Sequence, residues 1–141
     1  MAITQVRSQP HWNYMLAMES DLERLSRYVE FTEENYPCFS IEIARILMAA
    51  GAEIDVVCKQ LCALLTTSLG LPATQASNIN EYRDIINDRY PKIKRFSIQM
   101  PRCGLELCPW DEWKKPNGVP LWWTGYNKTK HDVMLSITRP T

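Results

Sequence analysis

Histidine and glycine are scarce in this 141-residue chain, at two and five residues. It contains no glycine-rich phosphate loop, no serine-hydrolase motif and no paired-carboxylate glycosidase pattern, which sets aside the enzyme classes built on them. No internal repeat or low-complexity run is present, so solenoid and propeller architectures are excluded too. The cysteines, Cys38, Cys58, Cys62, Cys103 and Cys108, are odd in number and form no CxxC pair. That count does not suit a disulfide framework. Met1 to Pro10 is polar and mixed, without the apolar centre of a secretory leader. Reduced thiols in a cytoplasm are the simplest expectation. Cys58 and Cys62 would have to join Cys103 and Cys108 to hold zinc, but the first two fall on an apolar helix face, where a free thiol acts as a small hydrophobe. Core packing is therefore preferred, and no metal or cofactor is expected.

What the chain does have is enough apolar material for one domain spanning residues 1–141, with residues 1–10 as a loose lead-in. The hydrophobic fraction of 45% is ordinary for a globular protein and argues against disorder. Formal net charge is zero, yet residues 1–70 carry five basic and nine acidic side chains, and residues 71–141 carry eleven and seven. The split suits steering of an anionic ligand to the second half, docking of two copies acid to base, or simply a solvated surface.

Taken in order, His11 to Glu34 reads as a first helix. Met15, Met18, Leu22, Leu25 and Val29 recur at spacings of three and four, and the run is stopped by Asn35-Tyr36-Pro37. His11 itself reads as a surface residue. Ser40 caps a second helix that runs to Gly70, with Pro72 beyond it. That is about 29 residues, or roughly 43 Å. Glu42, Arg45, Glu53, Asp55 and Lys59 make membrane insertion of this helix too costly, so it reads as a central helix buried on most of its circumference. Glu42, Glu53 and Gln60 lie within about 20° of one another on a helical wheel, with Arg45 nearby, as its exposed stripe. Asp55 falls on the apolar side and needs a partner. Lys59 one turn on is one candidate, and Asn127 or His131 the other. Gly51 suits a close crossing, most simply with the first helix.

A polar linker, Pro72 to Ser77, leads to a short third helix. Asn78 caps it, Glu81 completes a capping box, and Ile79, Tyr82, Ile85 and Ile86 form its buried face. Phe96, Ile98 and Met100, then Leu105 and Leu107, alternate around Pro101 and Gly104. A small β-hairpin or an ordered loop follows from that pattern. Lys92, Lys94, Arg95 and Arg102 make the stretch basic. Trp110, Trp113, Lys114 and Lys115 follow, then the turn Pro116-Asn117-Gly118. Basic residues interleaved with aromatics suit single-stranded nucleic acid. The same tryptophans would equally serve as a satellite core over helix ends. The whole reads as an all-α fold of about four helices, with an aromatic loop or small β-hairpin before the last.

Leu121 to His131, LWWTGYNKTKH, is the densest stretch. Pro120 stands where a helix tolerates a missing N–H. In a helix, Asn127 and His131 share one face, and Trp123, Tyr126 and Lys130 an adjacent one.

The segment Tyr126-Asn127-Lys128-Thr129-Lys130-His131 resembles the C-terminal signature of HEPN-superfamily domains, small all-α proteins of prokaryotic defence systems. That signature is an arginine, a short spacer and a histidine, often with a polar residue after the arginine. Asn127 and His131 fit the polar residue and the histidine, whereas Thr124, Gly125 and Tyr126 supply no arginine. About residues 12–135 take part in the likeness, and the tail after Leu135 is shorter than such domains often have. The resemblance implies an antiparallel helical bundle that dimerises through its motif helices and cleaves RNA without a metal. His131 would then be the acid–base group, Asn127 would orient it, and Lys128 or Lys130 would supply the missing charge as a point cation. Trp122, Trp123, Tyr126, Lys114 and Lys115 would contact the RNA, with Asp55 and Glu53 in support. The competing expectation is a non-catalytic module for dimerisation or a protein partner, with His131 buried against a carboxylate such as Asp55 and no cleft.

Overall fold

The computed structural model describes residues 2–73 and 75–136, with side chains of the last helix described as far as His131. Four α-helices are present among them: α1 (Trp12–Leu25), α2 (Ile41–Ser68), α3 (Ile79–Arg89) and α4 (Leu121–Ser136). Strands β1 (Ile98–Met100) and β2 (Leu105–Leu107) form an antiparallel hairpin before α4, with Ile98 opposite Leu107 and Met100 opposite Leu105. The mostly helical class and the hairpin both follow the sequence pattern. The tail after α4 falls on residues 137–141, outside the described residues. No helix among the described residues is long and apolar enough to cross a membrane.

The chain divides into two compact units, Met1–Glu53 and Ile54–Thr141, and α2 contributes to each. In the first unit, α1 ends earlier than its apolar spacing predicts. Ser26 Oγ donates to the Glu23 carbonyl at 2.6 Å. The next amides then bond three residues back, Arg27 to Arg24 and Tyr28 to Leu25. A serine hydroxyl that competes for a helix carbonyl favours such a tightened end, though the Val29 amide still bonds four residues back to Leu25 at 3.0 Å. Ser40 caps α2 as expected, its Oγ accepting from the amides of Glu42 and Ile43 at 3.1 and 3.3 Å.

Two ion pairs join α1 to the first half of α2. Arg45 reaches Asp21 at 3.1 Å while also bonding Glu42 at 2.9 Å, and both carboxylates raise its pKa, Glu42 the more. At the other end His11 Nδ1 meets Glu53 Oε1. These pairings, 21 with 45 and 11 with 53, run the two helices antiparallel. Glu53 thus leaves the solvated stripe predicted for it, because His11, in a left-handed conformation at φ 69 at the start of α1, brings a partner to it. Gly51 is buried between the positions of these two ties along α2.

The second unit has a true core. Cys62, Tyr82, Ile86 and Pro120 are fully buried, and Trp113, Trp123 and Tyr126 are nearly so. The end of α2 is set by Gly70 at φ +74, where a residue with a Cβ would be strained. Asn78 accepts from the amides of Asn80 and Glu81, while Glu81 reaches back to the Ser77 amide at 2.7 Å. The predicted box closes one residue further out than expected. α2 is less buried than its composition predicts. Val56, Val57 and Leu64 face outward, and only Cys58, Cys62 and Leu65 of this unit's share are buried. On α3 the buried set is Ile79, Tyr82, Arg83 and Ile86, so Arg83 takes the place predicted for Ile85, which is half-buried.

Candidate functional site

The site lies within the second unit, along α4. The Pro120 carbonyl accepts from the amides of Trp123 and Thr124 at 3.0 and 3.2 Å, so the helix begins where proline's lack of an N–H costs nothing. Two features fix the approach of the chain to that point. Asn117 is left-handed at φ 56, and a Cβ on Gly118 would lie 1.8 Å from the Glu112 carbonyl oxygen, so only glycine fits there. Arg83 then donates to Asn80 Oδ1 at 2.7 Å and to the Gly118 carbonyl at 3.3 Å, and pairs with Asp84 at 3.0 Å. This guanidinium ties α3 to the turn before α4.

From that start, α4 sends Trp123 and Tyr126 inward. Trp123 meets Tyr82 edge-on at 6.4 Å and Tyr126 at 5.4 Å. Lys130 lies 5.9 Å from the Tyr126 ring centroid, a cation–π distance, so the predicted face of Trp123, Tyr126 and Lys130 exists. Thr124, Asn127, Lys128 and His131 recur at three and four along a second face. They line an open cleft of about 430 Å³ together with Ile79, Val119 and Trp123. Its floor is apolar and its rim polar, with Asn127 half-buried and Lys128 and His131 exposed. The cleft therefore offers an imidazole, an ammonium, an amide and a hydroxyl along two helical turns of one face. That set can bind a phosphate or carboxylate and can move a proton at it.

The other predicted site residues do not line this cleft. Trp122 is half-buried, its indole N–H donating to the Pro109 carbonyl at 2.8 Å, and it packs edge-on against Trp110 at 5.2 Å. Trp110 in turn lies 4.2 Å from Trp113. The tryptophans are the satellite core that the sequence left as one of two readings. Lys114 pairs with Asp111, and Lys115 with Glu112 at 2.9 Å, so both lysines are engaged by carboxylates three residues before them. Asp55 finds Lys59 at 2.6 Å, the expected partner, and the Tyr82 hydroxyl at 2.7 Å, one that the sequence did not suggest. Glu53 belongs to the first unit and is held by His11. The burial of His131 against Asp55 expected of a non-catalytic module is not what the chain shows.

Around Asp55 lies a buried group of neutral acids. Burial pushes the Cys58 thiol up to about 12, with Cys62 and Asp55 adding to the shift. Burial also raises Cys62, helped by Glu81. Tyr82 is raised as well, first by burial and then by its bond to Asp55. Thiols held in this way are poor nucleophiles and poor metal ligands. Among the described residues no group of three or more histidines, cysteines and acids could hold a metal ion. Sequence reasoning buried Tyr82 but missed its bond to Asp55, and it missed the burial of Arg83 altogether. Their signal was present in the placement of a phenol and a guanidinium on the apolar side of α3, beside Ile79 and Ile86. No protein-family model, curated protein or solved structure matches the chain.

Proposed function

We propose that the chain is a HEPN-like helical domain that binds single-stranded RNA as a homodimer, with the α4 cleft receiving a phosphodiester. The observation that carries this reading is the cleft itself, with Thr124, Asn127, Lys128 and His131 on one face and the imidazole open to solvent. His131 is the acid–base group, since its ring nitrogens can both give and take a proton at the cleft. Asn127, one turn before it, orients the ring or the phosphate. Lys128 contributes a point charge, without the bidentate fork an arginine would give. Arg83 does not replace that arginine, because Asn80, Asp84 and the Gly118 carbonyl already occupy it. Binding thus comes first and metal-independent cleavage second and slowly, a cation from the second copy being needed to hold the developing charge. Five free cysteines suit a reducing cytoplasm, the setting that goes with this reading.

The test is incubation of the purified protein with labelled single-stranded RNA in EDTA, beside His131→Ala. Slow cleavage that the substitution abolishes is expected. Cleavage surviving in the variant, or needing a divalent metal, would contradict the assignment.

One observation favours the second reading, a module for dimerisation or a protein partner. Within the first unit α1 has no buried residue, and Trp12, Tyr14, Met15 and Leu16 are each more than 40% exposed. Apolar side chains grouped in this way mark an association surface. A sedimentation experiment decides it. A monomer that persists at high concentration, with no RNA bound, would leave only the hetero-partner version.

A further inference from the structure

We infer that the single-stranded nucleic acid is gripped by a second surface, the strap from Arg89 to Arg102 with its hairpin, and not by the tryptophan segment. The inference rests on the RNA reading above, but its own observations lie outside the cleft of α4. Residues 88–107 carry five cations, Arg89, Lys92, Lys94, Arg95 and Arg102, against Asp88 and Glu106. Among the described residues no carboxylate pairs with Lys92, Lys94 or Arg95. The short 3-10 turn Ile93–Arg95 packs against the turn Asp111–Lys114. The two acids there, Asp111 and Glu112, are already held by Lys114 and Lys115. The local field above the strap is therefore positive.

Aromatic rings are interleaved with these cations, and here they are turned outward. Phe96 is 60% exposed and Tyr90 46%, the latter with Arg89 lying 5.7 Å from its ring centroid. The tryptophans of 110–123, by contrast, stack on one another and into the core. The outer face of the hairpin adds the Ile98–Leu107 pair, both side chains more than 40% exposed. Phosphates need unpaired cations and unstacked bases need exposed rings. The strap supplies both within eight residues that carry four cations and no acid, whereas Arg24 and Arg27 beside the exposed Tyr28 lie among Asp21, Glu23 and Glu30. An acidic peptide would use the cations but leave Phe96 and Tyr90 without a role, which is why the ligand is assigned as a single strand.

The experiment is fluorescence anisotropy of a labelled oligouridine with the full chain, its Lys92→Ala/Lys94→Ala/Arg95→Ala variant, Phe96→Ala, His131→Ala, and a charge-matched Arg7→Ala/Arg24→Ala/Arg27→Ala control. The triple variant should bind much more weakly and lower the slope of log affinity against log salt by about 2, at ~0.7 per phosphate contact on a single strand. Phe96→Ala should weaken binding about tenfold, the size of one lost base stack. The control should bind like the parent chain. Unchanged binding by the triple variant, together with loss in His131→Ala, would overturn the strap and leave the cleft reading standing. No binding by the parent chain would overturn both. Competition by poly-glutamate as effective as by RNA would show a general polyanion patch and also overturn the assignment.

Discussion

Among the described residues up to Glu53 only Gly51 is buried, whereas the unit that follows buries Cys62, Tyr82, Ile86, Trp113, Trp123 and Tyr126. The first unit is joined by charges, Arg45 with Asp21 and His11 with Glu53, and the second by apolar surface. The difference matters because the two forces have different sizes. An exposed ion pair contributes about 0 to 1 kcal/mol, while a buried aromatic is among the largest single terms in a small domain. The helix pair held by the weaker force leaves its tryptophan and tyrosine side chains exposed. A unit with its own core can present a site.

The sharpest way to break this comparison is Trp123→Ala against Trp12→Ala. Loss of the buried ring should cost about 3 to 5 kcal/mol, and loss of the exposed one about 0.5 kcal/mol or less. Urea denaturation measures both, and equal costs would mean that the first unit has a core of its own.

Alkaline pH should act next, and on the second unit. The Cys58 thiol, pushed up from 9.0 to about 12, and the Tyr82 phenol, also raised, stay neutral in the folded chain. Unfolding lets the thiol ionise near its ordinary value. Stability is therefore fully present below about pH 9 and falls as the pH rises toward 12. The urea midpoint should decline over that interval, and Cys58→Ala should make the decline shallower. A flat profile would contradict the assigned burial.

A smaller effect sharpens the picture at one bond. Tyr82→Phe keeps the ring in the core but removes the donor to Asp55, leaving the carboxylate to Lys59 alone. The expected loss is about 1.5 to 3 kcal/mol, the range for a hydrogen bond to a charged group. The least effect belongs to Arg45→Ala. It breaks both the Asp21 and Glu42 contacts, yet the urea midpoint should scarcely move and the difference should vanish in high salt, because the side chain is half exposed.

Much of the fold was legible because its signals are local. Ser40 and Gly70 bracket α2, Asn78 with Glu81 starts α3, and the alternation around Pro101 and Gly104 becomes the hairpin. The end of α1 was not legible, since apolar spacing continues past Ser26 while the hydroxyl turns the backbone. The Asp55–Tyr82 bond joins residues 27 apart in the chain and has no local signature. The face of α4 carrying Asn127 and His131 could be read from helical spacing alone. Which aromatics turn outward could not, because composition is the same for Trp113 in the core and Phe96 at the surface.

The chain holds two histidines, so its imidazole resonances belong to His131 on the cleft and His11 beside Glu53. Adding single-stranded RNA while following both by NMR tests the central claim most directly. The account predicts that the His131 signals move while those of His11 stay in place. Movement of His11 alone, or of neither ring under conditions where RNA is bound, would contradict it.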